Sequence, residues 1–590
     1  MTAQEVAQAL REIAQLLQLK GENSFKIRAY DTAAETFEAL PPDPSAPGGL
    51  LERVKAGTLG ELVSVGKAID QKVTELVTNG SLGFLDKLRA EFPPGVLDLV
   101  RVPGVGPKKA LALIEQLDVG SLADLKAACE SGRVRELKGF GPKSELTILE
   151  GVNKLQERTA RRPIHQTRPV AELLVARVRA APGVRAAAVA GSIRRFAETT
   201  GDIDLVCELE PDALPSSPMD ALLAGPEIGG IIGRGETKLS LRLSQPSGLQ
   251  VDLRVLGAGK FATALHHFTG SKAHHVRLRG IARARGLTLS EYGLLEMSSG
   301  KALEVPDEAA LYAHLGLPFI TPELREDRGE IEAGLVNTLP ELLEEDQIQG
   351  LIHCHTTWSD GAHTIEEVAR EAVRLGKRYL SITDHSYAGG EGGITLDRLR
   401  AQADEIAEVQ AKIPELRLLR GVEVDVLEDG SLALPDSALD SLELVIASVH
   451  QRHGLDEEAQ TNRIARALSH PLVDIWGHPT GRILGEREEM PASLEKLLAK
   501  AAETGVAVEC NGTPRRLDLS AHWLRRARVH GCQIAVSVDA HSTQDFGNLE
   551  WGVRNARRGW VERSRVINAA PAEEFLAARR AKRSRNRGSA

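Results

Sequence analysis

The spacing of apolar residues changes along the chain. Up to about residue 85 they recur every three to four positions, as in EVAQALREIAQLLQL and FKIRAYDTAAETFEAL. This predicts short amphipathic helices, the second ended by Pro41-Pro42. A short element then repeats. VSVGKAI (Val63–Ile69), VPGVGPKKA (Val102–Ala110) and LKGFGPKSE (Leu137–Glu145) share an apolar–x–Gly–apolar–Gly–x–Lys core, with Ser64 replacing the first glycine of the first copy. From Pro163 helices mix with strict alternation, and RAAAVAGS, DIDLVCEL, LSLRLSQ and LQVDLRVL read as strands. A helical segment follows through Gly280–Arg285. The charged stretch Pro322–Leu343 reads as a boundary and linker. From Gln349 to about Ala570 short apolar strands alternate with helices, the rhythm of a βα barrel-like domain.

A chain of 590 residues is too long for one hydrophobic core. Its 42% hydrophobic and 26% charged residues are ordinary for globular protein. Five cysteines without a C-x-x-C pair point to a reducing, cytoplasmic setting. No apolar run reaches the length of a membrane span, and the N-terminus reads as an amphipathic helix rather than an export signal. The net charge of −9 conceals local basic patches. One is the tail Ala577–Ala590, with almost nothing apolar, which reads as disordered and either solubilising or loosely in contact with nucleic acid.

In the repeated element, two glycines allow a tight turn whose backbone N–H groups approach a ligand, with a lysine just after, which suits a phosphate. The copies resemble helix–hairpin–helix motifs, which grip DNA backbone without reading sequence. The candidate contacts are Gly104, Gly106, Lys108, Gly139, Gly141 and Lys143.

Within AGSIRRFAETTGDIDLV, strand periodicity puts Asp202 and Asp204 on one face, with Ile203 and Leu205 on the other. Two converging carboxylates call for a cation, and Mg²⁺ suits their oxygens. LQVDLRV supplies a third, Asp252. Gly191 and Ser192 offer a backbone N–H and a hydroxyl to a phosphate, and Arg195 can clamp it. These are the parts of two-metal phosphoryl transfer.

GSIRRFAETTGDIDLV, GETK (Gly235–Lys238), VDLR and HFTGS (His267–Ser271) resemble the palm and thumb of family X DNA polymerases, the polymerase beta-like group. The resemblance covers roughly residues 1–335. It implies Asp202, Asp204 and Asp252 as catalytic ligands of Mg²⁺ or Mn²⁺, and Gly191, Ser192 and Arg195 on the incoming triphosphate. It places Phe268 and Gly270 near the sugar and His275 at the base's minor-groove edge. Two positions depart from the family: His267 stands where Tyr is usual and His275 where Asn is usual. Lys72 aligns with the lysine that forms a Schiff base in the lyase domain of beta-like enzymes.

A second chemistry follows. LIHCHTTWSDG puts His353 and His355 on one strand face, with Asp360 in the next loop. His385, Glu423, His450, His478, Asp539 and His541 each lie at or just past the end of an apolar strand, where βα barrels place their sites. The donor set suits Zn²⁺, Mn²⁺ or Fe²⁺ without choosing among them. His363, His453, His470, His522 and His530 lack that context. Residues 350–570 resemble the polymerase and histidinol phosphatase (PHP) domain, which implies a three-metal hydrolytic centre with all nine ligands filled. A beta-like core fused to PHP is the arrangement of bacterial family X polymerases.

The expected architecture is multidomain. A helical, lyase-like DNA-binding domain (1–85) and helix–hairpin–helix fingers (86–160) precede an α+β nucleotidyltransferase palm (161–260) and thumb (261–330). A linker (331–348), a βα barrel-like PHP domain (349–570) and a basic tail (571–590) follow. The expected activity is DNA-directed DNA synthesis filling short gaps in repair, with metal-dependent 3′→5′ exonuclease or 3′-end processing, on gapped or primed DNA with dNTPs and as a monomer. The alternatives are a DNA-tethered PHP phosphatase with little polymerase activity and a non-catalytic DNA-binding scaffold.

Overall fold

The computed structural model describes residues 3–38, 40, 49–79, 81–93, 95–159, 161–244, 248–386 and 394–587, and the expected helix stop at Pro41-Pro42 lies outside them. The chain forms two compact units, divided after residue 160. The first is helical. One core runs through it from Ala3 to Val152, so the boundary expected near residue 85 does not separate two cores.

Its three repeated elements are equivalent turns. Val65, Val105 and Phe140 donate their N–H to Leu62, Val102 and Leu137 at 3.1, 2.9 and 3.0 Å. The residue before each donor is left-handed: Ser64 at φ 61°, Gly104 at 84° and Gly139 at 89°. Thus Ser64 adopts the conformation that glycine supplies in the other copies, one that serine disfavours. Each turn leads into a helix: Lys67–Asn79, Pro107–Leu117 and Pro142–Thr159.

In the second unit, five strands form the palm sheet in the order Val184–Val189, Asp202–Leu209, Gln250–Leu256, Lys238–Leu243, Ile228–Arg234. The last was not expected, because IGGIIGR has three glycines and no alternation. Asp202–Leu209 and Gln250–Leu256 run parallel, and the other neighbours are antiparallel. Ile203, Leu205, Val251 and Leu253 fill the core behind the sheet, so the aspartates face away from it. Helices Phe261–Thr269 and Lys272–Ala284 and a hairpin, Leu287–Ser290 with Gly293–Glu296, make the thumb.

Seven parallel strands, in chain order from Gly350–Leu351 to Ile534–Ser537, make a nearly closed barrel. A parallel bridge between Cys354 and Ala540 joins the last strand to the first. His355 donates its N–H to Ala540 at 2.8 Å, and Ala540 to His353 at 3.1 Å.

The segment read as a boundary and linker is packed: Leu324, Ile331, Leu342 and Leu343 are buried, and Glu330–Leu335 is a short helix. The tail is a helix, Ala572–Arg587, not a disordered segment. Phe575 and Leu576 plug the barrel interior with Ile446 and Ile475, and the Phe575 ring lies 5.3 Å from Tyr379. Arg579 and Lys582 are buried, charged heads included. Arg583 pairs with fully buried Asp474, and Lys582 donates to the Pro471 carbonyl at 3.2 Å. Basic residues at buried positions hide the periodicity, and their acidic partner lies over a hundred residues upstream. Phe575→Ala is expected to destabilise the barrel by about 3 kcal/mol. A denaturant midpoint unchanged from the parent would show that this helix does not close it.

Candidate catalytic and metal centres

Backbone pairing builds the first site. Asp204 and Asp252 are direct register partners on parallel strands, and Asp202 lies two residues before Asp204 on the same face. Burial, then Asp202 and Asp252, push Asp204 up to about 7; burial, then Asp252, raises Asp202. Crowded carboxylates of this kind fit a divalent cation, whose charge would offset the penalty on ionised Asp202 and Asp204. The Lys238 ammonium stands 3.5 Å from Asp252.

Gly191 begins a short helix, Gly191–Arg194, against this cluster. Its φ is +62°, and a Cβ there would fall 2.3 Å from the Asp204 carboxylate, so any side chain would be strained and would displace Asp204. The Ser192 hydroxyl is 2.7 Å from that of Thr200. Arg195 is engaged within the protein: its Nε donates to Glu326 at 3.1 Å and its Nη1 to the Thr269 carbonyl. Phe268 lies under Arg254, 5.0 Å from ring centroid to guanidinium carbon. Gly270, at φ +68°, lies against Arg195. His275 Nε2 is 3.1 Å from His267 Nδ1, and burial pushes His275 down to about 4, so it is neutral near pH 7.

At the C-terminal ends of the barrel strands, eight of the nine expected ligands form three overlapping groups, each with donor atoms within 4.8 Å. One is His353, His355, Glu423 and Asp539; another His355, Asp360, His385 and His541; the third His385, Glu423 and His450. His478 lies outside these groups, but its Nε2 is 2.9 Å from Glu423 Oε1, which His450 Nε2 also approaches at 3.2 Å. Glu423 is thus the hub. His478 and Asp539 carry positive φ values of 22° and 48°, strain of the kind that clusters at functional sites.

The donor set fits metal ions. Among the described residues, His353 Nε2, both ring nitrogens of His355 and Glu423 Oε2 are buried without a hydrogen-bond partner. Burial opposes protonation of His353, but Glu509, Glu423 and Asp539 outweigh it and raise its pKa. The same balance brings His385 to about 10 and His450 and His541 to about 9. Burial, then His385 and His541, hold His355 near 3. Cations binding here would displace protons, which couples their affinity to pH.

Three residues that the sequence did not single out orient the candidate ligands. His353 Nδ1 donates to Glu509 at 2.5 Å, turning Nε2 toward Glu423 and Asp539. His450 Nδ1 donates to Asp425 at 2.6 Å. Asn511 donates to Asp539 at 3.2 Å. Asp384, next to His385 in sequence, instead holds the turn that follows His355 by taking the N–H and hydroxyl of Thr356 at 2.7 and 2.8 Å. Glu509 and Asn511 share the strand Ala507–Asn511, whose position between two ligand-bearing strands was the available signal.

In the helical unit, Gly106 and Gly141 stand at helix starts with open space in front, and Lys108 and Lys143 are exposed. Lys72 is half-buried, donates to the Ala68 carbonyl at 3.3 Å and lies 4.8 Å over the Phe84 ring.

Comparison with known proteins agrees with this layout. Residues 1–82 match a helix-hairpin-helix domain model, 96–154 a SAM-like helix-hairpin-helix tandem, 264–326 the DNA polymerase beta thumb and 352–513 the PHP domain. Over 570 residues the chain is 36% identical to the DNA polymerase/3′-5′ exonuclease PolX of Bacillus subtilis (strain 168), covering 96% of this chain and 98% of that protein. The chain belongs to the PolX family. It shares the family's polymerase beta-like core and C-terminal PHP domain. A probable phosphatase of Thermoanaerobacter sp. (strain X514) is 32% identical over 232 residues, 37% of this chain and 88% of that protein. No helix among the described residues is long and apolar enough to cross a membrane.

Proposed function

We propose that this PolX-family chain is a DNA-directed DNA polymerase that fills short gaps during repair and trims 3′ ends by hydrolysis at its barrel. The pairing of Asp204 with Asp252 beside Asp202, with Gly191 in close approach to Asp204, carries the reading. Mg²⁺ or Mn²⁺ held by these three carboxylates supplies charge neutralisation for nucleotidyl transfer. Asp252 is the candidate for accepting the primer 3′-hydroxyl proton. Gly191, Ser192 and Arg195 hold the triphosphate, and Phe268, Gly270 and His275 line the nucleoside. At the barrel, up to three ions of Mn²⁺, Zn²⁺ or Fe²⁺ held by the nine His and acidic ligands supply Lewis acidity for phosphodiester hydrolysis. Glu509 and Asp425 fix the imidazoles that hold them. Action as a monomer is part of this proposal. Five buried, unpaired cysteines support a cytoplasmic setting.

The DNA-tethered phosphatase gains no support, because the 36% identity runs through the polymerase half as well. The test is incubation of a gapped, labelled duplex with Mn²⁺, with and without dNTPs. Extension with dNTPs and shortening without them is the expected result, and shortening without any extension would overturn the polymerase reading.

The hairpins are proposed to grip phosphates through Gly104, Gly106, Lys108, Gly139, Gly141 and Lys143. Affinity for gapped DNA should then fall with salt, each phosphate contributing about −0.9 to the log–log slope. A slope near zero would remove the assignment. His275→Asn replaces a neutral imidazole, tied to His267, with an amide that presents donor and acceptor together. It is expected to lower the dNTP KM roughly threefold or to tighten discrimination against mispairs. Unchanged single-nucleotide kinetics would separate His275 from nucleotide selection. The structure gives Lys72 no feature that argues for lyase chemistry, and borohydride trapping on DNA with a 5′-deoxyribose phosphate would decide it.

A further inference from the structure

Arg195, the triphosphate clamp in the reading above, already has an anion. Its Nε donates to Glu326 Oε1 at 3.1 Å, and its Nη1 is taken by the Thr269 carbonyl. The same Glu326 oxygen accepts from Nη2 of Arg558, also at 3.1 Å. Arg558 ends the helix Leu549–Arg558, which packs on the last barrel strand, so one carboxylate joins the palm's phosphate-binding turn to the PHP domain. All three side chains are largely withdrawn from solvent: 14% exposed for Arg195, 20% for Glu326 and 10% for Arg558. The contact is anchored on both sides. Phe196, next to Arg195, packs 5.2 Å from Trp551 of the same barrel helix, and Glu198 pairs with Arg482 at 3.1 Å.

We infer that Glu326 is the resident counter-ion of the nucleotide clamp, and that Arg558 sets how readily it hands Arg195 over to an incoming triphosphate. The inference rests on Arg195 being that clamp. A guanidinium offers a planar fork of donors, and a carboxylate and a phosphate compete for the same edge. While Glu326 holds Nε, the binding-competent fraction is reduced and apparent affinity falls with it. When Arg195 turns to phosphate, Glu326 would be left as a poorly solvated charge, which is costly. Arg558 removes that cost, because it already holds the oxygen that Arg195 releases. The PHP domain thereby contributes a positioning residue to the nucleotide site.

The signs follow. Glu326→Gln should lower the dNTP KM for filling a one-nucleotide gap about fivefold, and Arg558→Ala should raise it by a similar factor. With Glu326→Gln present, Arg558→Ala should have no further effect. KM is the readout because it does not depend on the fraction of active enzyme, so partial unfolding of a variant does not imitate the result. An unchanged KM in Glu326→Gln overturns the inference. An Arg558→Ala effect that persists without the carboxylate also overturns it, by showing that Arg558 acts through packing. Arg195→Ala separates the two levels. If it inserts nucleotides like the parent, the clamp reading itself fails; if it is impaired while Glu326→Gln is silent, only the counter-ion role fails.

Discussion

Replacing Asp202 and Asp204 together with alanine is expected to abolish primer extension and leave 3′-end shortening intact. The parallel pairing of their strand with Gln250–Leu256 gathers three carboxylates, and Asp252 alone cannot hold a pair of divalent ions. Losing such a centre removes several kcal/mol of barrier stabilisation, on the order of 10³-fold in rate or more. The substitution also removes the buried, crowded carboxylates whose burial and mutual repulsion raise Asp204, so the metal-free palm should not be weakened by it. The barrel keeps its own hydrophobic core and all its ligands. Extension at the parent rate would disprove the palm assignment.

Conversely, His353→Ala with His355→Ala should end shortening by a comparable factor and spare extension, with longer products accumulating. Both side chains are fully buried and both face Glu423, the carboxylate shared by two of the three ligand groups. Removing them leaves Glu423 and Asp539 alone in one group, takes His355 from another, and strips two of the five imidazoles that surround Glu423. These residues also flank the backbone hydrogen bonds that close the barrel at Ala540, and bound metal stabilises whatever fold it binds. The measurement therefore pairs nuclease rates with thermal melts, with and without EDTA. A variant that melts like the parent and still shortens 3′ ends at the parent rate would sink the assignment.

Much of this was legible in the sequence because the chemistry lies on regular periods. The two-residue spacing of Asp202 and Asp204, and of His353 and His355, follows from strand geometry alone. The recurring hairpin turns announced themselves by repetition, and even Ser64 keeps the turn. What stayed hidden depends on partners distant in sequence. Glu326 meets Arg195 across 131 positions, and Glu509 meets His353 across 156. Neither carboxylate differs locally from a solvated one. The closing helix Ala572–Arg587 was misread for a related reason: its buried face is partly basic and becomes intelligible only beside Asp474. The segment read as linker carries Glu330, fully buried against His274 at 2.6 Å, and its charges satisfy one another rather than water.

The placement of that closing helix orders events during synthesis. The three palm aspartates are all synthesised by residue 252, whereas Asp539 and His541, the Cys354–Ala540 bridge and the Phe575 plug follow only after the barrel's strands have been made. A nascent chain thus holds the parts for adding nucleotides well before it holds those for removing them. A message cut short upstream of residue 539 would encode a palm without a complete hydrolytic centre, and without the Arg558 that shares its nucleotide clamp's counter-ion.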